Sequence, residues 1–252
     1  MVSGSLPIAE MRAEGPNLSV VIPCLNEAAR LPLLLADLQR WPLPIAITVV
    51  DGGSSDASHR ITILAGSQWI PVHPPGRGRQ LVLGGKHAIQ QNKQGWILFL
   101  HADSRLPGRW ASSVLTRIQN DDAHHFAWFF DLRIDPPTPA RHGLEALIAL
   151  RSRWFQRPYG DQGLLIHTSL YERSGGFAPL PLMEDLDLVE RLSQLTRLRA
   201  LGLSVTTDGR QWQQSGVLHR SIKNAWLRQR WRRGESPTLL MEDYYGKTTD
   251  SS

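Results

Sequence analysis

Three runs of β-branched and other apolar residues, each stopping at a polar cluster, constrain this chain more than anything else in it. Leu18–Pro23 runs into Cys24-Leu25-Asn26-Glu27, Ile45–Val50 into Asp51-Gly52-Gly53-Ser54-Ser55-Asp56, and Trp96–Leu100 into His101-Ala102-Asp103. Unbroken apolar runs of this length belong to strands buried on both faces, as in a parallel sheet covered by helices. Between them, Leu31, Leu34, Leu35 and Leu38 lie on one face of a helix predicted from Glu27 to Trp41. Gln68 to Val72 reads as a weaker strand. Arg77 to Gln91 reads as a helix, although Gly84 and Gly85 oppose that assignment. Ser55 or Asp56 is expected to cap the helix after the second run. Strand and helix in alternation predict an α/β fold, a mostly parallel central sheet flanked by helices. Ligands of such sheets bind beyond the carboxyl ends of the strands. All three polar clusters fall there, so they are expected to share one site.

The second half is less regular. Phe126 to Ile134 alternates loosely and fits an antiparallel strand. Pro136, Pro137 and Pro139 break the chain, Leu144 to Phe155 reads as a helix, and Gly163 to His167 as a short strand. Glu184 to Leu195 reads as a helix with Leu188 and Leu192 spaced for burial. With 252 residues, 41% hydrophobic and 20% charged, the chain suits one globular domain. The expected division is a loose lead-in over 1–17, a domain over 18–245 and a tail over 246–252. Within the domain, 18–105 is the nucleotide-facing half and 106–245 the acceptor-facing half. A lone cysteine, Cys24, excludes an internal disulfide and fits a reducing compartment as a small buried residue. No apolar run is long enough to cross a bilayer, and 1–17 lacks the pattern of a secretory signal, so a cytoplasmic protein is expected. A net charge of +5 suits anionic ligands such as nucleotide diphosphates, but it is too small, without base-stacking motifs, for a nucleic-acid binder.

In order, the motifs resemble family-two glycosyltransferases of the GT-A fold. The opening is carried by Val20–Glu27, Val49–Asp56 and Leu98–Asp103. Gly76–Gln80, Gly160–Gly163 and Pro181–Asp187 are similar to a bacterial subgroup of short, soluble members. The resemblance implies a single-domain nucleotide-diphospho-sugar transferase using a divalent metal, Mn²⁺ or Mg²⁺, and a UDP-sugar or, next, a GDP-sugar. It places Asp51 at the base, Glu27 at the base and ribose, and Pro23, Asn26, Gly52 and Ser54 around them. Arg77, Arg79, Gln80 and Ala102 would also line the donor, since guanidinium matches phosphate geometry. Asp103 matches the metal-binding aspartate of an Asp-x-Asp motif. His101 replaces the first aspartate and is a second candidate ligand that leaves the metal's identity open. Asp185, in Glu184-Asp185, matches the general base that takes the acceptor hydroxyl's proton in an inverting transfer, and repulsion between the paired carboxylates would raise a pKa. Asp161, Gln162 and Glu184 would face the acceptor. Arg210 and Trp212 resemble in part a Gln-x-x-Arg-Trp element that clamps diphosphate or acceptor.

Taken singly these residues have plainer readings. Asp51 suits a turn before Gly-Gly, Glu27, Glu184 and Asp185 suit helix first turns, and Arg77 with Arg79 suits a solvated basic loop. His101 suits a satisfied strand-end histidine. The basic segment 221–233, with Ile222, Trp226, Leu227 and Trp231, fits either a docked helix or peripheral contact with the inner face of an anionic membrane. A nucleotidyltransferase is the competing enzyme class, but the segment after the first strand has no glycine-rich basic loop. A catalytically silent nucleotide binder is the other alternative, yet Asp51, Asp103 and Asp185 are all present. The sequence leaves the sugar, the acceptor and the oligomeric state open.

Overall fold

The computed structural model describes residues 17–208 and 217–245, with the side chains of 217–222 and 245 left aside. One seven-stranded sheet organises the chain. The strands are β1 (Leu18–Cys24), β2 (Ile45–Asp51), β3 (Gln68–Pro71), β4 (Trp96–Phe99), β5 (Ala127–Asp135), β6 (Leu164–His167) and β7 (Leu198–Asp208), in the order β3-β2-β1-β4-β6-β5-β7. Pairs β1–β2, β2–β3, β1–β4 and β5–β7 are parallel, and β6 runs antiparallel to both neighbours. The mostly parallel α/β fold expected from the sequence is therefore present.

The helices are α1 (Leu31–Leu38), α2 (Ser58–Leu64), α3 (Arg77–Gln91), α4 (Trp110–Ile118), α5 (Pro139–Trp154), α6 (Thr168–Arg173), α7 (Glu184–Leu195), α8 (Val217–Arg232) and α9 (Pro237–Tyr245). Alternation along β1 sends Val20 and Ile22 into a cluster with α1 and α4, and Val21 into a second one with α3 and α7. The sheet is thus covered on both faces. A third cluster, Leu182, Met183 and Leu186 with Leu227 and Leu240, docks α8 and α9 against the head of α7.

Several boundaries differ from expectation for local reasons. α1 starts at Leu31 rather than Glu27 because Asn26 is left-handed (φ 55°) and Pro32 occupies the first turn. Ala57, not Ser55 or Asp56, is the N-cap of α2, but Asp56 accepts the Ser58 N–H at 2.9 Å. α5 begins at Pro139, five residues before the expected start. Thr138 caps it and Pro139 fills N1, where its missing N–H costs nothing. β5 is antiparallel to β6 as expected, and parallel to β7.

Helix α3 runs from Arg77 to Gln91 despite its glycines, and its packing explains them. A Cβ on Gly84 would lie 2.3 Å from Val21 Cγ1, and one on Gly85 2.3 Å from Tyr171 Oη. The helix lies so close to β1 and α6 that only glycine fits. At its first turn, a Cβ on Gly78 would lie 2.3 Å from the Leu180 carbonyl oxygen. This contact presses Arg77 against the segment that leads into α7.

Candidate functional site

The loops after β1 and β2 are stitched together beyond the sheet's carboxyl edge. Asn26 N–H donates to Ser54 Oγ at 2.8 Å, Ser55 N–H to Asn26 Oδ1 at 2.9 Å, Glu27 N–H to Ser58 Oγ at 3.1 Å, and Ala28 N–H to Asp56 Oδ2 at 2.9 Å. Asp51 is buried at the end of β2 and accepts the N–H groups of Gly53 and Ser54, each at 2.9 Å, and the Ser54 hydroxyl. In this form its carboxylate shapes its own turn. Glu27 lies half-buried 3.9 Å from Arg30, which pairs with Asp208 at the end of β7.

Gln80 corrects one expectation. Its side chain is buried, and its amide donates to the carbonyls of Cys24 (2.8 Å) and Val50 (2.7 Å), with Gly52 packed on it. It fastens the ends of β1 and β2 under the loops and has no donor group left for a phosphate. Gln162 corrects another. It is fully buried, donates to the Phe130 carbonyl at 3.0 Å, and accepts from Ser152 at 2.7 Å and Arg151 at 3.1 Å. It fixes the turn that carries Asp161 and does not face an acceptor. Pro23 and Ala102 are likewise buried, so their side chains support the edge from beneath. Arg79 is exposed on α3 beside Gly76. Arg210 and Trp212 lie outside the described residues.

The segment after β4 turns sharply, with Ser104 N–H donating to the His101 carbonyl at 3.1 Å. Asp103 accepts from Thr207 Oγ1 at 3.1 Å, and Arg105 exchanges two backbone hydrogen bonds with Thr206. Just beyond, buried Asp37 of α1 accepts from Arg105 Nε (2.7 Å) and Leu106 N–H (3.0 Å). Asp103 is thus braced by β7, and the residues just after it by α1, neither of which the sequence connects to it.

Asp185 sits in the first turn of α7, whose N-cap, Met183, is left-handed (φ 66°). Its Oδ2 accepts from Gly160 N–H and its Oδ1 from Leu186 N–H, both at 2.8 Å, and Arg77 Nη2 is 4.0 Å from Oδ2. Arg77 also pairs with buried Glu184. Gly160 is the point of convergence: a Cβ there would be 3.0 Å from His101 Nε2 and 3.2 Å from Asp185 Oδ2. The structure therefore brings His101 and Asp185 together at one bare backbone position of the Gly160–Gly163 motif, with Arg77 bridging Asp185 and Glu184 just beyond.

Electrostatics separate the paired carboxylates. Burial raises the Glu184 carboxyl and outweighs Arg77. Burial also works to raise Asp185, but the Arg77 guanidinium and the Gly160 and Leu186 N–H groups leave it below its ordinary value. Of the pair it is thus Glu184 whose carboxyl is raised, by burial first and by its Asp185 neighbour to a lesser degree, and Asp185 stays ionised. Burial, helped by Arg77, lowers the His101 imidazole and keeps it neutral. Burial raises Asp161 against the pull of Arg151, and Asp161 Oδ1 is buried with no hydrogen-bond partner. Arg151 lies 3.8 Å from the Tyr159 ring centroid and Arg228 5.1 Å from it.

Among the described residues no three His, Cys, Asp or Glu side chains cluster to hold a metal ion. The chemistry of the set nonetheless fits a hard divalent ion that draws most of its ligands from a bound diphosphate: one half-buried carboxylate, Asp103, and a neutral imidazole two residues away.

A sheet in this order with its polar loops gathered past the carboxyl edge defines a GT-A glycosyltransferase fold. The chain belongs to glycosyl transferase family 2, whose model matches residues 19–180. Solved structures that share the fold include the following three. TarS of S. aureus (residues 1–349, in complex with UDP-GlcNAc) is 17% identical, with a TM-score of 0.61 over 77% of this chain and 59% of that one. The mannosyltransferase PcManGT of Pyrobaculum calidifontis, in complex with GDP-Man and Mn²⁺, is 16% identical, with a TM-score of 0.56 over 77% and 57%. Glucosyl-3-phosphoglycerate synthase of Mycobacterium tuberculosis, with Mn²⁺, UDP and phosphoglyceric acid, is 16% identical, with a TM-score of 0.56 over 87% and 81%. The chain spans about 60% of the TarS fragment. Among curated proteins no relative matches it.

Proposed function

We propose that this glycosyltransferase moves a sugar from a nucleotide-diphosphate donor to an acceptor hydroxyl with inversion at the anomeric carbon, and that Asp185 is the general base. UDP-sugar is the favoured donor and GDP-sugar the next. The observation that carries this reading is the convergence at Gly160, where an ionised carboxylate is fixed beside the segment that follows β4. Each Asp185 oxygen accepts one backbone hydrogen bond and keeps a lone pair for a hydroxyl proton. As Asp185 takes that proton, the acceptor oxygen attacks the anomeric carbon and the bond to the diphosphate breaks on the opposite face. Asp51 and Glu27 hold the nucleoside, with Asn26 and Ser54 shaping the loop around it, and residues 18–105 serve the donor while 106–245 face the acceptor. Asp103, with His101 beside it, would hold Mn²⁺ or Mg²⁺, whose charge offsets the charge gathering on the departing diphosphate. Arg77 steadies Glu184 and Asp185 next to that diphosphate.

The test is titration calorimetry of UDP and GDP with and without Mn²⁺, followed by transfer assays with the preferred nucleotide's sugars. Metal-enhanced binding that Asp103→Ala weakens supports the donor site, and an unchanged metal response removes Asp103 from it. Asp185→Asn should bind donor normally and lose transfer. Normal turnover in that variant would assign the base elsewhere.

A further inference from the structure

Helix α5 is inside out. Its inward face carries polar side chains: Arg141, Glu145 and Ser152 are buried there with Ile148. Its outward face is apolar. Leu147 is 66% exposed, Leu150 46%, Trp154 79% and, just past the last turn, Phe155 66%. Positions 147, 150 and 154 fall on one side of a helix, so they form a stripe rather than scattered exposures. A surface helix in water has the reverse arrangement, and a contiguous apolar stripe marks contact with something other than water.

What adjoins the stripe indicates the partner. Arg153 and Gln156, which flank Trp154 and Phe155, help line a cavity of about 390 Å³ at the amino-terminal ends of β5 and β7. Three further arginines, Arg117, Arg197 and Arg199, line the same cavity. Arg153 pairs with Asp131, whereas among the described residues no carboxylate pairs with Arg117, Arg197 or Arg199. Arg117 and Arg199 lie against aromatic rings instead, at 4.9 Å from the Trp128 centroid and 3.4 Å from the Phe126 centroid. Guanidinium groups free of carboxylates and held by ring stacking are donors suited to phosphate. An apolar, Trp-bearing stripe beside a phosphate-matching basic pocket has the chemistry of the interface of an anionic bilayer, where Trp and Phe enter the headgroup layer and arginines meet lipid phosphates.

We propose that the outward face of α5 is a membrane-docking surface, with Leu147, Leu150, Trp154 and Phe155 entering the interfacial layer and the arginine-lined cavity taking the phosphate of an anionic lipid. This surface is not the basic helix 221–233. In α8, Leu227 is buried, Arg230 is engaged by Glu235 and Asp243, and the half-exposed Trp226 ring lies under the Arg230 guanidinium at 4.2 Å, so these residues already have partners within the protein. The inference does not depend on the catalytic assignments. The same end of α5 also carries Arg151, whose field reaches Asp161 and Asp185, so docking there would bring a bilayer close to the acceptor half.

The test is flotation of the full chain with vesicles of phosphatidylcholine alone and of phosphatidylcholine with about 30 mol% phosphatidylglycerol, whose negative surface potential attracts basic residues held near the surface. The wild type should float with the anionic vesicles and much less with the neutral ones. Trp154→Ser with Phe155→Ser, at exposed positions, should weaken that binding about tenfold or more while UDP titration is unchanged. Arg197→Glu with Arg199→Glu should abolish the preference for phosphatidylglycerol. Three results would overturn the proposal: no flotation with either vesicle, flotation unaltered by the α5 pair, or a wild-type dimer that becomes monomeric in the α5 pair without any vesicle binding. The last would make the stripe a contact between two copies of the chain.

Discussion

Replacing Gly160 with alanine should separate activity from stability. The residue begins a short 3-10 turn and is not left-handed, so its backbone accepts alanine. Removing a glycine from such a position stabilises the fold by about 0.4–1 kcal/mol through the unfolded chain. The new methyl group, however, would stand 3.0 Å from His101 Nε2 and 3.2 Å from Asp185 Oδ2, where ordinary contact begins near 3.4 Å. The two groups must therefore retreat by about 0.4 and 0.2 Å. A 1 Å misplacement at a reacting centre costs about 100-fold. On a logarithmic scale these shifts predict a roughly three- to sixfold loss in kcat/KM, or about 0.5–1 kcal/mol of activation free energy. The assay is nucleotide release in a transfer reaction, run with thermal melting and donor titration on the same preparation. The expected result is an unchanged or slightly higher Tm, unchanged donor Kd and lower kcat. Full activity would show that the convergence at Gly160 has no part in the chemistry. A collapse of Tm would show that the turn, and not the reacting groups, had been disturbed.

Two further outcomes test the scaffold. Gln80→Leu leaves the buried Val50 carbonyl without its side-chain donor and should cost about 2 kcal/mol, or about 4–8 °C in Tm for a chain of this size; an unaltered melt would contradict the strand-fastening role. Burial raises the Cys24 thiol from an ordinary value near 9 to about 11. The thiol form therefore favours the folded state, a contribution fully present below pH 9 and lost as pH rises through 11. At pH 10 it amounts to roughly 1 kcal/mol, so wild type should lose that much more denaturant stability than Cys24→Ala between pH 7.5 and 10, and parallel curves for the two would refute it.

What the sequence could convey depended on whether a residue's surroundings were local. β1, β2 and β4 were readable because burial on both faces leaves an unbroken apolar run, and the helix of α7 because its leucines keep helical spacing. β7 escaped notice. Gly202 interrupts its apolar period, and the register of its pairing with β5 shifts between Phe129 and Asp131, so no clean alternation is left. The start of α5 was obscured because a proline at N1 and a proline that breaks a helix look alike until Thr138 is seen capping. The polar clusters after β1, β2 and β4 do lie together, because topology alone brings strand ends to one edge. Side-chain direction was another matter. Gln80 and Gln162 stand among motif residues but turn inward to backbone carbonyls, and nothing in an amide's identity tells which way it points. Arg151, Tyr159 and Thr207 reach the site from elements whose packing no spacing rule supplies.

The reversal of β6 has a consequence for how such a chain can change. Strands that all run one way can furnish a pocket only from the loops that leave them. Because β6 runs against β4 and β5, the chain arrives at the same rim instead of departing from it, bringing Gly160 and Asp161 on the approach. Insertions in the long stretch between β5 and β6 would therefore extend one side of that rim and leave the registers of β1, β2 and β4 undisturbed. Under the proposed function, selection could remodel what is accepted on one side of that rim while the loops after β1, β2 and β4, on its other side, continue to recognise the same donor.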